Sequence, residues 1–177
     1  MHRQTLGYSL YELLITTSLI ATLLMLGIPS FASMMARQRQ QVEINALFHA
    51  NHLARKESIM RRKVVSICPS NDGDACLPGR DWSSGWLMFE NSDRDSPPQV
   101  NAGEAILQRH AVARDVEIQA NRRGFTLRAT FLRATNGTFV VCDRSNRVPA
   151  KGLVVSYTGR PRVAFAAPGG KPYSCAD

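Results

Sequence analysis

The chain has 177 residues, 44% of them hydrophobic, and carries 22 Lys and Arg against 14 Asp and Glu, a formal net charge of +8. That length allows one modest domain beyond a single membrane segment, and the composition is that of a folded protein, which excludes a disordered polar chain. Before residue 37 the only charged side chains are Arg3 and Glu12, so the whole net positive charge belongs to residues 37–177.

A Gly7-Tyr8 junction leads into Ser9-Leu10-Tyr11-Glu12, and from Leu13 to Ala36 no side chain is charged. At about 1.5 Å per helical residue that run spans roughly 36 Å, enough to cross the hydrocarbon core of a bilayer. A carboxylate at the start of such a segment is expensive in lipid and is retained where it finds a cation. The amino group of Tyr8, freed by cleavage after Gly7, would lie one helical turn from Glu12, and an amine of another subunit would serve equally. An ordinary secretory signal is the poorer reading: the apolar run is too long, a glutamate interrupts its start, and no small-residue cleavage site follows it promptly.

Residues 37–62 lack Pro and Gly and place Val42, Ala46, Leu47, Ala50, Leu53 and Ala54 at helical spacing, which predicts an amphipathic continuation of the first helix. It should end near Arg61-Arg62-Lys63, where cations suit the negative end of the macrodipole. His49 and His52 share a face, but no nearby Cys or Asp completes a metal set.

Eight short β-rich runs follow, each bounded by Gly, Pro, Asn or Asp: 64–68, 86–89, 105–108, 116–119, 125–129, 139–142, 153–157 and 163–166. The fold class is α+β, an antiparallel sheet packed on one long helix. Asn136-Gly137 reads as a hairpin turn of type I′, and 92–101, with Pro97-Pro98, as a polar loop. Trp86 begins an apolar strand and belongs in the core; Trp82 reads as the cover of a domain edge, with stacking on a nucleic-acid base the rarer use.

The four cysteines, Cys68, Cys76, Cys142 and Cys175, all follow the export segment, which favours disulfides in an oxidising compartment. Three pairings are open to sequence alone. The preferred one joins Cys68 to Cys76 and Cys142 to Cys175, worth roughly 2.5 and 4 kcal/mol on the chain-entropy model. Asp72 and Asp74 in the first loop suggest calcium, but the spacing and terminal glutamate of an EF-hand are missing, so a disulfide-closed turn is the better reading. No nucleophile elbow, phosphate loop or acid–base carboxylate pair is present, and neither catalysis nor a cofactor or metal is expected.

The leader Gly7-Tyr8-Ser9-Leu10-Tyr11-Glu12, with Tyr where Phe is usual and with Pro29 downstream, resembles the type IV pilins and their type II secretion relatives. The loop Cys68-Pro69-Ser70-Asn71-Asp72-Gly73-Asp74-Ala75-Cys76, followed by Trp82-Ser83-Ser84-Gly85-Trp86, looks like the FimT and FimU minor pilins of the GspH-like group. The resemblance implies the type IV pilin fold in four parts: a leader (1–7), a transmembrane and filament-core helix (8–36), an amphipathic half (37–63) and a periplasmic β-rich head (64–177). It also implies processing by a prepilin peptidase at Gly7 with methylation of Tyr8, and an assembly role for Glu12. The chain would sit in the inner membrane as a single-pass protein and then in a pilus at the cell surface, with other major and minor pilins as partners.

Gly159-Arg160-Pro161-Arg162 lies between the last two predicted strands. A turn with Gly and Pro projects its side chains away from the sheet, and two guanidinium forks suit phosphate oxygens, giving affinity without sequence preference. The segment resembles the Gly-Arg-x-Arg motif of FimT, which implies DNA binding by Arg160 and Arg162 in natural transformation. Lys151, Arg144, Arg147 and Lys171 are expected beside them, gathered by a Cys142–Cys175 bridge. Arg122-Arg123 reads as an ordinary turn. The competing expectation is a structural FimU-like or GspH-like subunit that primes filament assembly, its arginines serving only as a solvated surface.

Overall fold

Ser9 starts the first element. Its hydroxyl accepts the backbone N–H of Glu12 at 3.2 Å and its carbonyl accepts that of Leu13, so Ser9 caps helix α1 (Leu10–Arg61). The computed structural model describes residues 9–129 and 134–175. Gly7 and Tyr8 lie outside the described residues. The chain divides into two compact units, one ending at Met35 and the other beginning at Ala36.

In the first unit the helix exposes Leu13, Leu14, Leu19, Ile20, Leu23, Leu24, Leu26, Ile28 and Phe31. Five of its hydroxyls bond within the helix: Thr16, Thr17, Ser18, Thr22 and Ser33 donate to carbonyls three or four residues back. An apolar surface whose hydroxyls turn back onto the helix backbone suits a bilayer, and the segment is long and apolar enough to cross one. Pro29 is accommodated inside the helix, where it lacks the N–H that would bond the Met25 carbonyl.

The second unit holds the remainder of α1 and eight strands: β1 (Val65–Pro69), β2 (Gly85–Glu90), β3 (Ile106–Ala111), β4 (Val116–Ala120), β5 (Phe125–Leu127), β6 (Gly137–Asp143), β7 (Lys151–Val155) and β8 (Pro161–Ala164). All eight overlap the runs predicted from sequence, but β7 and β8 begin two residues earlier than expected, so that Lys151, Pro161 and Arg162 lie in strands. They divide between two antiparallel sheets of order β3-β2-β1-β5 and β4-β6-β7-β8. Ile44, Leu47, Ala50 and Ala54 of the helix pack in one cluster with Ile67, Trp86, Met88, Ile118, Phe125, Phe139, Leu153 and Val155, so both sheets close on the same helical stripe. A second cluster of Cys68, Cys76, Leu87 and Phe89 covers the far side of the first sheet. That second cover is why β2 is buried at every position: a strand packed on both faces reads as a continuous apolar run.

Trp82 is fully buried, edge-on to Phe125 and Phe139 with ring centroids 5.8 and 4.9 Å away. It is therefore a core residue, unavailable to a base and not an edge cover. Val42, expected on the packed face, is 58% exposed. The stripe instead includes the polar residues Gln40, Glu43, Asn51 and Ser58. Gln40 Nε2 donates to the carbonyls of Val141 and Pro149, both at 2.9 Å, tying the helix to the second sheet. Glu43 receives the backbone N–H of Ala113 at 3.1 Å and meets His110 Nε2 at 2.8 Å, tying it to the first.

Asn136-Gly137 is not the expected type I′ turn. Gly137 is the first residue of β6, opposite Val155, and neither residue has a positive φ. The glycine is required by close packing: a Cβ there would lie 2.5 Å from Asn121 Oδ1 and 2.9 Å from the Phe125 ring. At the other end of the chain Arg62, with φ 55°, ends α1 where the basic run predicts.

Candidate nucleic-acid interface

Cys68 is bonded to Cys76 and Cys142 to Cys175. In the first loop Asp72 Oδ1 accepts the N–H groups of Asp74 and Ala75 and the Ser70 hydroxyl, while Asp74 pairs with Arg109 at 2.8 Å. The hydrogen bond from Asp74 N–H, followed by that from Ala75, holds the Asp72 carboxyl below the usual range. Both carboxylates thus stabilise the turn itself. Among the described residues no group of three or more His, Cys, Asp or Glu could hold a metal.

The β7–β8 hairpin turns through Ser156–Arg160. Gly159 N–H bonds the Ser156 carbonyl at 2.9 Å, Ser156 N–H bonds the Arg160 carbonyl at 3.1 Å, and Gly159 takes φ 70°, a left-handed conformation that glycine adopts without strain. Pro161, buried, stands opposite Val155, whereas Arg162 stands opposite Val154. Since Leu153 and Val155 point into the core, the alternation of a strand sends Val154 and Arg162 to the outer face. Arg160 and Arg162 flank Pro161, are both exposed, and make no ion pair with a described residue.

The four expected neighbours lie elsewhere. Lys151 begins β7, on the side of Leu153 and Val155, and its ammonium meets Gln41 Oε1 of the helix at 3.3 Å and sits over the Phe165 ring. It is thereby on the opposite face of the sheet from Arg162. Arg144 and Arg147 follow β6 at the Lys151 end of the sheet, separated from the Val155 end by about 13 Å of strand. Arg147 is paired with the buried carboxylate of Asp143 at 3.2 Å. Arg144 and Arg147 line a cleft of about 560 Å³ with Phe165, Tyr173 and Cys175, and Lys171 is exposed on the strap that leads into it. The Cys142–Cys175 bridge thus gathers a cluster, but at the wrong end for the hairpin, because hairpin-connected strands place successive loops at opposite ends of a sheet.

What surrounds the hairpin comes from other segments. A Cβ at Gly159 would lie 3.3 Å from Arg55 Nη1, so a guanidinium of α1 sits beside the turn. At the same end of the second sheet, Arg122 follows β4 and donates from Nε to the Asn136 carbonyl at 2.9 Å. It lines a cleft of about 410 Å³ with Arg80, Arg123, Ser96, Pro97, Pro98, Thr126 and Thr135. The basic pair Arg122-Arg123 was the only sequence signal for this place; Arg55 and Arg80 sit in stretches with none.

The family model described as type II transport protein GspH matches residues 43–169. In three dimensions the chain is similar to the type IV minor pilin FimU of Pseudomonas aeruginosa in two crystal forms. Identity is 21% in both, with 79% of this chain and 97% or 99% of that chain covered at TM-scores of 0.55 and 0.51. It is also similar to the minor pseudopilin EpsH from the Type 2 Secretion System of Vibrio cholerae, with 7% identity, 71% and 96% coverage and a TM-score of 0.51. At these identities the likeness establishes the fold, that of a long helix packed on antiparallel sheets. No curated protein matches by sequence.

Proposed function

Because the chain belongs to the GspH family of type II transport proteins, with the fold of minor pilins and pseudopilins, we propose that it is a FimT-like minor pilin that binds extracellular DNA through the β7–β8 hairpin and supports DNA uptake in natural transformation. The single observation behind this reading is the pair Arg160 and Arg162, exposed on the outer face and unmatched by any described carboxylate. Phosphate contacts of this kind are blind to sequence and sensitive to salt. The remaining parts follow from the leader: a prepilin peptidase cuts after Gly7, Tyr8 is methylated, and Glu12 answers a terminal amine as the helix moves from the inner membrane into a filament of other pilins.

The test is DNA affinity as a function of salt, for the wild type and for Arg160→Ala combined with Arg162→Ala. Each lost duplex contact lowers the log–log salt slope by about 0.9. Unchanged binding by a folded double variant rejects the site. A wild type that binds no DNA at low salt while filament assembly still depends on it favours the structural reading, to which the FimU likeness is equally suited.

A further inference from the structure

Four arginines elsewhere on the head are held by carboxylates: Arg39 by Asp115, Arg61 by Glu57 and Glu90, Arg109 by Asp74, Arg147 by Asp143. The cleft of Arg80, Arg122 and Arg123 instead gathers three arginines in one concavity. No Asp or Glu lines it, and none of its three guanidiniums makes an ion pair with a described residue. Three like charges in one concavity repel, and a mobile counter-anion relieves that repulsion. The other walls supply hydroxyl and amide groups, Ser96, Thr135 and Asn121, together with the Pro97-Pro98 edge. These groups suit the partly esterified oxygens of a phosphodiester.

Backbone pairing joins this cleft to the hairpin. Thr135, in its wall, donates its N–H to the Thr126 carbonyl, and Ala134 donates to the carbonyl of Tyr157 in the β7–β8 turn, both at 2.9 Å. Asn121 donates to the carbonyl of Thr138, which stands opposite Val154, which stands opposite Arg162. From the Asn121 segment to β8 is thus three strand spacings, about 14 Å. We infer that the Arg80–Arg122–Arg123 cleft holds the phosphodiester backbone of the same nucleic acid that Arg160 and Arg162 grip. The track runs across the Ala134–Thr138 segment, not along β7 toward Arg144 and Lys171. This inference rests on the hairpin reading for the identity of the anion and on the cleft alone for its place.

The experiment compares three variants of the full chain in neutral detergent, each checked for retained thermal unfolding, using a labelled duplex of mixed sequence titrated at several salt concentrations. The cleft variant is Arg80→Gln with Arg123→Gln, which spares Arg122 because its Nε bond to Asn136 is structural. The hairpin variant is Arg160→Ala with Arg162→Ala, and the control is Arg144→Gln with Lys171→Gln. The expected result is weaker binding by both the cleft and hairpin variants, each with a salt slope smaller by about 1.8, and no change in the control. Loss in the hairpin variant alone overturns the cleft inference and leaves the hairpin reading standing. Loss in the cleft variant alone upholds the cleft and removes the hairpin. Loss in the control and not in the cleft variant overturns the track, placing it along β7.

Discussion

Glu90, the last residue of β2, has a side chain only 6% exposed and faces two cations that are about half exposed, Arg61 at 2.8 Å and Lys63. Lys63 first, then Arg61, holds the Glu90 carboxyl below the usual range against the opposing effect of burial. Glu90→Gln frees two cations that can turn to water, so its cost is that of two partly screened charged hydrogen bonds, about 2 kcal/mol. Replacing Lys63 and Arg61 together by Ala removes the same two bonds but strands a buried carboxylate, and should cost more than Glu90→Gln. A carboxyl whose pKa is lower when folded than when unfolded stabilises fully above the unfolded value near ~4.3, and that contribution drains away as pH falls through the folded value. Urea unfolding of residues 36–177, which contain the whole core, at pH 7 and at steps down to about 3 measures both effects. The gap between wild type and Glu90→Gln should close toward the acid end. Asp95, pushed up by burial, contributes in the opposite sense, relieved as pH falls, but it is common to both proteins and cancels in the gap. A gap that stays flat across that range, or a double cation variant no less stable than Glu90→Gln, refutes the assignment of Glu90 as an ionised, cation-held anchor of the helix end.

Four further outcomes are expected. Trp82→Ala, which empties a site between Phe125 and Phe139, should cost about 3–5 kcal/mol in denaturant unfolding. Gly137→Ala should destabilise by more than the ~1 kcal/mol that a strand glycine normally regains on substitution, since its Cβ meets Asn121 and Phe125; a gain in stability would contradict the packing. Cys142→Ser with Cys175→Ser opens a loop of sequence separation 33 and should lower stability by about 4 kcal/mol, while leaving DNA binding unchanged because the hairpin is at the other end of the sheet. Gln40→Ala strips the donor from the carbonyls of Val141 and Pro149 and should cost about 1–3 kcal/mol, read as a lower urea midpoint.

What sequence alone determined is local. Eight strands were legible because each short β-rich run is punctuated by Gly, Pro, Asn or Asp, and the helix end because Arg61-Arg62-Lys63 closes a Pro-free stretch. The membrane-length helix was legible because a bilayer reads only length and apolarity. Tertiary structure decided what depends on register and on which strands become neighbours. Strand alternation turns Lys151 toward Gln41 and Arg162 away from the core, two destinations that no count of positive charge separates. The same pairing sets Arg144 and Arg147 at one end of β7 and the arginine hairpin at the other, although the Cys142–Cys175 bridge had suggested a single patch. Trp82 went to the core, and Gly137 into a strand, because each answers to atoms far along the chain. Guanidiniums from Arg55, Arg80, Arg122 and Arg160 share one end of the head for the same reason: long-range pairing energy is paid by contacts between segments, and a linear chain carries no mark of those contacts.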